Sequence, residues 1–329
     1  MTVARLLEGK RICVCCGSGG VGKTTTSAAI ALGMAATGAR VAVVTIDPAR
    51  RLADALGLRE LDNEPRRVAP ERLAAGGVQL RGELWAMMLD PKRTFDELID
   101  RIAGDPQRAR EIKANRIYRE LSTAVSGSQE FTAVSKLDEL AREGGFDLLV
   151  LDTPPSRSAL DFLDAPGRLT SFLEGRALRA FVRPGGLGAR VLGLGAAPLL
   201  AALRRVTGVD LVGELATFFG LLGGMTDEFG ARAAAVQRLL RDETTAFLLV
   251  CSAQQEAIEE AIWFCRELER ERIPLAGAIV NRVHAAAGAG RGAVDVQASL
   301  EPALGSELAA RVVASFAEQR RLARRDARS

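Results

Sequence analysis

Six short apolar runs punctuate the chain at helix-length intervals: Arg11–Cys16, Arg40–Ile46, Leu84–Leu89, Phe146–Leu151, Ala246–Cys251 and Leu275–Val280. A weaker seventh lies at Val312–Phe316. The runs are continuous rather than alternating, which predicts strands covered on both faces, as in a parallel sheet. Helical periodicity between them supplies a β-α-β alternation, so the expected fold class is α/β, a doubly wound and mainly parallel sheet. Two stretches interrupt the alternation. Pro91 to Arg142 reads as mostly helical, and Asp164 to Asp242 as a long helical insertion. Together they predict a helical subdomain, about 91–142 and 164–242, inserted in a single domain spanning 1–329. Within the second stretch Leu211, Leu215, Phe218, Leu222, Met225 and Phe229 recur at spacings of four and three, one apolar helix stripe. Such a stripe serves core or helix-pair packing. The sharper alternative is a groove for an apolar client, contacted by Leu215, Phe218, Leu222 and Met225. Ala285 to Gly305 reads as a loose loop, and the Arg-rich end (Arg320, Arg321, Arg324, Arg325, Arg328) as a solvated helix face.

Composition narrows the chemistry. Hydrophobic residues make up 48% of the chain and charged residues 26%, enough for a sizeable core. A net charge of +3 over 329 residues gives no support to nucleic-acid binding driven by phosphate neutralisation. The five cysteines (Cys13, Cys15, Cys16, Cys251, Cys265) form no C-x-x-C and are too few for a disulfide scaffold. His284 is the only histidine, which argues against His-based metal sites and a Ser-His-Asp triad. The start carries no apolar signal segment, and the longest uncharged apolar run, Val191 to Leu203, falls short of the roughly 18–20 residues that span a bilayer. The expected location is cytoplasmic. Only five of the 44 basic residues are lysines, so Lys23 stands out.

Lys23 belongs to the strongest local signal, Gly17-Ser18-Gly19-Gly20-Val21-Gly22-Lys23-Thr24-Thr25, which matches G-x-x-x-x-G-K-[ST] between a strand and a helix pattern over Ser27 to Ala36. That context predicts a phosphate loop and a fold of the P-loop NTPase type. Glycines let successive backbone N–H groups point inward at phosphate oxygens, and the following helix adds its positive end. Lys23 supplies a full charge for the β- and γ-phosphates, and Thr24 a hydroxyl ligand for Mg2+. Gly17, Gly19 and Gly22 also spell the dinucleotide fingerprint G-x-G-x-x-G, with Asp47 as its ribose-binding acid. Lys23-Thr24 decides against that reading, because a nicotinamide site needs neither group. Asp47 and Asp152 each end a predicted strand, so both are expected at the carboxyl edge beside the loop. An aspartate there holds Mg2+ through water or orients an attacking water.

Around this loop the sequence resembles the arsenical-pump ATPase family, which also contains the ATPases that deliver tail-anchored membrane proteins. The similarity runs from about Lys10 to Val283. Thr45-Ile46-Asp47-Pro48-Ala49 with Leu52-Ala53-Asp54 resembles the family's first switch, D-P-A-x-x-L-x-D. Asp152-Thr153-Pro154-Pro155 with Leu160 resembles the second, D-T-A-P-x-x-x-x-L. Gly127-Ser128-Gln129-Glu130 resembles P-G-x-x-E, and Ile279-Val280-Asn281-Arg282 resembles I-V-N-Q. The resemblance implies a Mg2+-dependent, ATP-hydrolysing dimeric switch, a homodimer or a heterodimer with a related ATPase subunit. Asp47 would position the hydrolytic water, Asp152 serve the Mg2+ shell through water, and Asn281 select adenine, with Gly19, Gly20, Val21, Gly22, Lys23, Thr24 and Thr25 around the nucleotide. It also implies an apolar client segment or a membrane-associated partner, and a cytoplasmic location that can be peripheral at the membrane.

The departures carry information too. The family's signature lysine belongs at position 18, where this chain has Ser18. In family dimers that lysine reaches the partner's phosphates as an arginine finger does, and losing such a cation costs on the order of 10³–10⁵ in rate. Two arrangements follow. The chain pairs with a related, lysine-bearing subunit in a heterodimer and still hydrolyses ATP, or it is a catalytically weak nucleotide-binding subunit that regulates its partner. Arg50 and Arg51 are the candidates to replace the missing charge. The C-x-x-C that staples tail-anchored targeting factors is absent after Asn281, and no cysteine trio suggests a thiolate site, which weakens a metalloid-stimulated anion pump.

Overall fold

The computed structural model describes residues 2–47, 49–116, 118–119, 128–153, 217–218, 220–221, 225–284 and 293–328. Within them the chain forms strands β1 (Ile12–Cys16), β2 (Arg40–Thr45), β3 (Arg66–Arg67), β4 (Glu83–Met88), β5 (Leu148–Asp152), β6 (Thr245–Ser252) and β7 (Leu275–Asn281). They join one sheet in the order β3-β4-β2-β5-β1-β6-β7. All neighbours are parallel except β3 with β4. Helices α1 (Val3–Leu6), α2 (Lys23–Ala36), α3 (Arg51–Ala55) and α4 (Pro70–Ala75) precede β4. Helices α5 (Pro91–Ile102), α6 (Pro106–Ala114) and α7 (Ser128–Glu143) lie between β4 and β5. Helix α8 (Thr226–Arg241) leads into β6, α9 (Gln255–Arg270) links β6 to β7, and α10 (Ala293–Leu304) and α11 (Ser306–Asp326) follow β7.

The continuous apolar runs have a simple cause: each central strand is buried on both sides. On one face Cys13, Cys15, Val41 and Val43 pack against Ala28, Ala31 and Ala35 of α2. On the other, Val14, Cys16, Ala42 and Val44 meet Phe95 of α5, Phe131 and Leu137 of α7 and Val236 of α8. The described helices of the two interrupting stretches thus share the core of the sheet. Helices α5 and α6 start where the sequence places Asp-Pro. The Asp90 carboxylate accepts from the Arg93 N–H at 3.0 Å, and Asp105 accepts from the Gln107 and Arg108 N–H groups, while Pro91 and Pro106 occupy first-turn positions that need no donor.

Four expectations change. Val312–Phe316 is not a strand but the middle of α11, and β3 had no apolar pattern to announce it. Part of the loop expected over Ala285 to Gly305 is α10, formed by an Ala-containing segment that tolerates Pro302 near its end. The apolar stripe is not one uninterrupted helix: Met225 is the N-cap of α8, directly after Gly223 and Gly224, two poor helix formers. Phe218 and Met225 are buried, 3% and 1% exposed, in the same core as Phe131 and Val236. Those two are packing residues here, not an open groove; Leu215 and Leu222 lie outside the described residues. Among the described residues no helix is long and apolar enough to cross a membrane.

Candidate nucleotide site

Strand β1 ends at Cys16 and α2 begins at Lys23, so the glycine-rich segment must turn within six residues. It does so where side chains do not fit. Gly17 has φ +144°, and a Cβ there would lie 2.0 Å from the Val250 carbonyl oxygen of β6. Gly22 has φ +94°, and its Cβ would lie 2.3 Å from Asn281 Nδ2. No side chain caps α2. Its first-turn amides are left facing the loop, as an anion-binding helix start requires.

Lys23, only 6% exposed, folds back over this turn. Its Nζ donates to the Gly17 carbonyl at 2.9 Å and the Ser18 carbonyl at 2.8 Å. Burial pulls the Lys23 pKa down, Arg51 acts in the same direction, and Asp152, Cys16 and Asp47 oppose them. An ammonium held this way exchanges two carbonyls for phosphate oxygens at little cost. Thr24 is half-buried beside Lys23, and Thr25 is exposed on the first turn of α2.

One hydroxyl links the Asp152 carboxylate to the Asp47 backbone. Thr45 ends β2 in register with Asp152 of β5. Its Oγ1 donates to Asp152 Oδ2 at 2.9 Å and accepts the Asp47 N–H at 3.2 Å. Ser27 Oγ makes a longer 3.5 Å contact with Asp152 Oδ1. Asp152 is fully buried. Burial pushes its pKa up, while hydrogen bonds from Thr24 and Thr45 and the charge of Lys23 pull it back. Asp47 accepts the Ala49 N–H on Oδ1 at 3.0 Å and pairs through Oδ2 with Arg51 Nη1 at 2.9 Å. Arg50 pairs with Glu60 at 3.5 Å. Both arginines proposed to replace a missing cation thus face carboxylates of the same chain, in exposed pairs of small energetic weight.

On the other side of the loop Asn281, the last residue of β7, donates from Nδ2 to the Val21 carbonyl at 2.8 Å. Ser18, Gly19, Gly20 and Val21 border a cavity of about 700 Å³ that continues past Arg282 and His284. That volume lies within the range of small-molecule sites, about 300–1,000 Å³. The structure therefore brings together Lys23, Thr24, Asp47 and Asp152 at the carboxyl edge of β1, β2 and β5, with Gly19, Gly20 and Val21 on the adjoining cavity and Asn281 bonded to Val21. The stripe residues Phe218 and Met225 stand apart in the core. Thr45 and Ser27 were missed by sequence reasoning; the signal was a hydroxyl two residues before a strand-ending aspartate and another one turn into the helix after the loop.

The donor set suits a hard cation. The Thr24 hydroxyl and the Asp152 carboxylate are oxygen ligands, and the buried carboxylate is held by hydroxyl groups alone. The backbone cradle, the ammonium and these oxygens together fit a Mg2+-nucleoside polyphosphate.

The model of the anion-transporting ATPase family matches residues 10–290. The ATPase get3 of Schizosaccharomyces japonicus is 26% identical over 267 residues, 81% of this chain and 72% of that protein. The ATPase GET3 of Malassezia globosa is 27% identical over 287 residues, 86% of this chain and 76% of that protein. The arsenical pump-driving ATPase 1 of Aquifex aeolicus is 31% identical over 160 residues, 47% of this chain and 38% of that protein. With the family match covering the sheet, the loop and both strand-ending aspartates, the chain belongs to the anion-transporting ATPase family and is an ATPase.

Proposed function

We propose that the chain is a Mg2+-dependent nucleotide switch that works against a second, related ATPase subunit. The observation that carries this reading is the Thr45 hydroxyl, which ties the Asp47 backbone to the buried Asp152 carboxylate beside Lys23. A change at the γ-phosphate is thereby felt at the ends of both β2 and β5. The loop amides and Lys23 hold the phosphates, and Asn281 borders the nucleoside end. Thr24 and, through water, Asp152 would hold Mg2+, which would supply charge neutralisation at the phosphates. Asp47 orients the attacking water once its carboxylate is released from Arg51.

Ser18 leaves the site without the cation that family dimers exchange, so slow turnover in isolation and acceleration by a lysine-bearing partner are the expected behaviour. Switch movement would pass to the helices that share the core with β1 and β2 and so to an apolar client segment or a membrane-associated partner. Client binding rests on the family resemblance, since the described stripe residues Phe218 and Met225 are packed inside. A metalloid-binding alternative finds little support in the thiols. Burial pushes the pKa values of Cys16, Cys251 and Cys265 up, away from the thiolate form that binds such ions.

Asp152→Asn tests the metal role against a structural one. The raised pKa means that the ionised carboxylate is disfavoured in the folded chain relative to the unfolded one. The amide removes that penalty, and the Ser27 and Thr45 hydroxyls can turn to accept from it. The apo variant is expected to melt at or above the wild-type temperature. Its advantage is absent well below pH 4, where Asp152 is protonated in both states, and grows as pH rises through the raised pKa. Mg2+-dependent ATP affinity and turnover should fall by on the order of tenfold or more. Unchanged Mg2+ dependence in thermally intact D152N would remove Asp152 from the site.

A further inference from the structure

The ATPase site leaves the Arg-rich end of the chain without a role. Arg321, Arg324 and Arg325 follow one another at spacings of three and one, so they share one side of α11, and Arg328 follows in the turn after its last residue. They line a second cleft, about 620 Å³ in volume, whose opposite wall is α9 with Gln255, Ile258 and Glu259. Elsewhere arginines are commonly neutralised locally, as Arg66 is by Asp62, Arg93 by Glu64 and Glu97, and Arg241 by Glu271. Here two neighbouring acids are turned to other groups. Glu259 accepts from Gln255 Nε2 at 2.9 Å, and the carboxylate of Asp326 is engaged by the N–H and Nδ1 of His284 at 3.0 and 2.7 Å, with Arg325 at a marginal 3.5 Å. Among the described residues the side chains of Arg321, Arg324 and Arg328 make no hydrogen bond or ion pair.

Three unpaired guanidinium groups, with Arg325 beside them, therefore border a space lined by one carboxylate, Glu259. Two like charges about 8 Å apart repel by roughly 0.5 kcal/mol in a water-like medium and by about 2 kcal/mol at an effective dielectric constant of 20. A multiply charged anion reverses that sign. The planar donor fork of arginine matches phosphate oxygens two at a time, and spacing along one helix side offers several forks to one ligand. The family match stops at residue 290, so α9 comes from the common framework while α11 lies beyond it. The cleft is thus a feature of this chain that the family resemblance does not account for.

We propose that the cleft between α9 and α11 is an anion site, distinct from the phosphate loop, for a multiply charged phosphate group, either a free di- or polyphosphate or a phosphate-bearing lipid headgroup. Arg321, Arg324 and Arg328 supply the donors. Arg325 also borders the nucleotide cavity and is left intact in the test.

The full chain is first saturated with ADP and Mg2+, so that the loop is occupied, and inorganic pyrophosphate is titrated calorimetrically. In parallel, vesicles of phosphatidylcholine with and without phosphatidic acid are pelleted with the protein. Pyrophosphate should bind, more weakly as salt is raised. In R321E/R324E that binding should weaken by at least about tenfold, with ADP affinity and melting temperature unchanged because neither arginine has a partner to lose. Pelleting with acidic vesicles only, abolished in the same variant, would assign the phosphate to a headgroup; pyrophosphate binding without pelleting would assign it to a free anion. If the reversals disturb folding, R321Q/R324Q/R328Q keeps the volume and should show the same loss. Absence of both pyrophosphate binding and vesicle pelleting in the wild-type chain overturns the proposal, as does equal binding by either variant.

Discussion

Installing a lysine at position 18 is expected to accelerate ATP turnover by on the order of 10³. Ser18 is half-buried on the cavity rim, and its carbonyl already accepts from Lys23 at 2.8 Å, so the backbone there is fixed. What the position lacks is a charge. Arg50 and Arg51 are directed at Glu60 and Asp47 of the same chain. In the proposed switch the missing cation acts across a subunit boundary. The gain in Ser18→Lys should therefore depend on protein concentration and vanish on dilution, while ATP affinity changes little. Steady-state turnover across a concentration series checks this. A gain that is independent of concentration would place the cation in cis. No gain at any concentration, with ATP still bound, would mean that charge at this position does not limit the reaction.

Lys23→Met should separate binding from folding. The ammonium is buried, and burial outweighs the attraction of Asp152, Cys16 and Asp47 and pulls its pKa down, so the charge brings the folded chain no net stability. Methionine fills the same channel without a cation to desolvate. The variant should melt within a few degrees of wild type, since one kcal/mol corresponds to about 2–4 °C in a domain of moderate size. ATP binding is another matter. Two charge-assisted bonds to phosphate, at about 1.5–3 kcal/mol each, correspond to a loss on the order of 10²–10⁴ in affinity, with turnover lost alongside. Calorimetric titration with ATP and Mg2+ beside a thermal melt gives both numbers. An ATP affinity close to wild type would show that the triphosphate is held elsewhere.

The site was legible in the sequence to the extent that it is local. The loop is a contiguous string, and Asp47 and Asp152 could be placed because each follows an apolar run whose strand direction a parallel sheet fixes. The runs themselves were readable because β1, β2, β5 and β6 are buried along nearly their whole length. Thr45 and Ser27 were not. Their importance comes from the register of β2 with β5 and from the way α2 leans over that edge, and neither relation is written in spacing. Strand β3 escaped for the opposite reason: two exposed arginines pair with β4 through backbone alone. Val312–Phe316 misled because five apolar or small residues in a row suit a strand or a helix equally. The surrounding Glu307, Ala309, Ala310 and Gln319 favour the helix that forms. The second cleft was invisible for a related reason. The sequence read the arginines at the end of the chain as a solvated helix face, and only the fold sets several of them against α9.

The most direct test is a crystal structure of the chain with Mg2+ and a non-hydrolysable ATP analogue. The account predicts the β- and γ-phosphates inside the turn from Gly17 to Lys23. Lys23 Nζ would have moved from the Gly17 and Ser18 carbonyls onto phosphate oxygens, and the metal would lie between Thr24 and the Asp152 side. A triphosphate bound outside that turn, with Lys23 still on the two carbonyls, would contradict it.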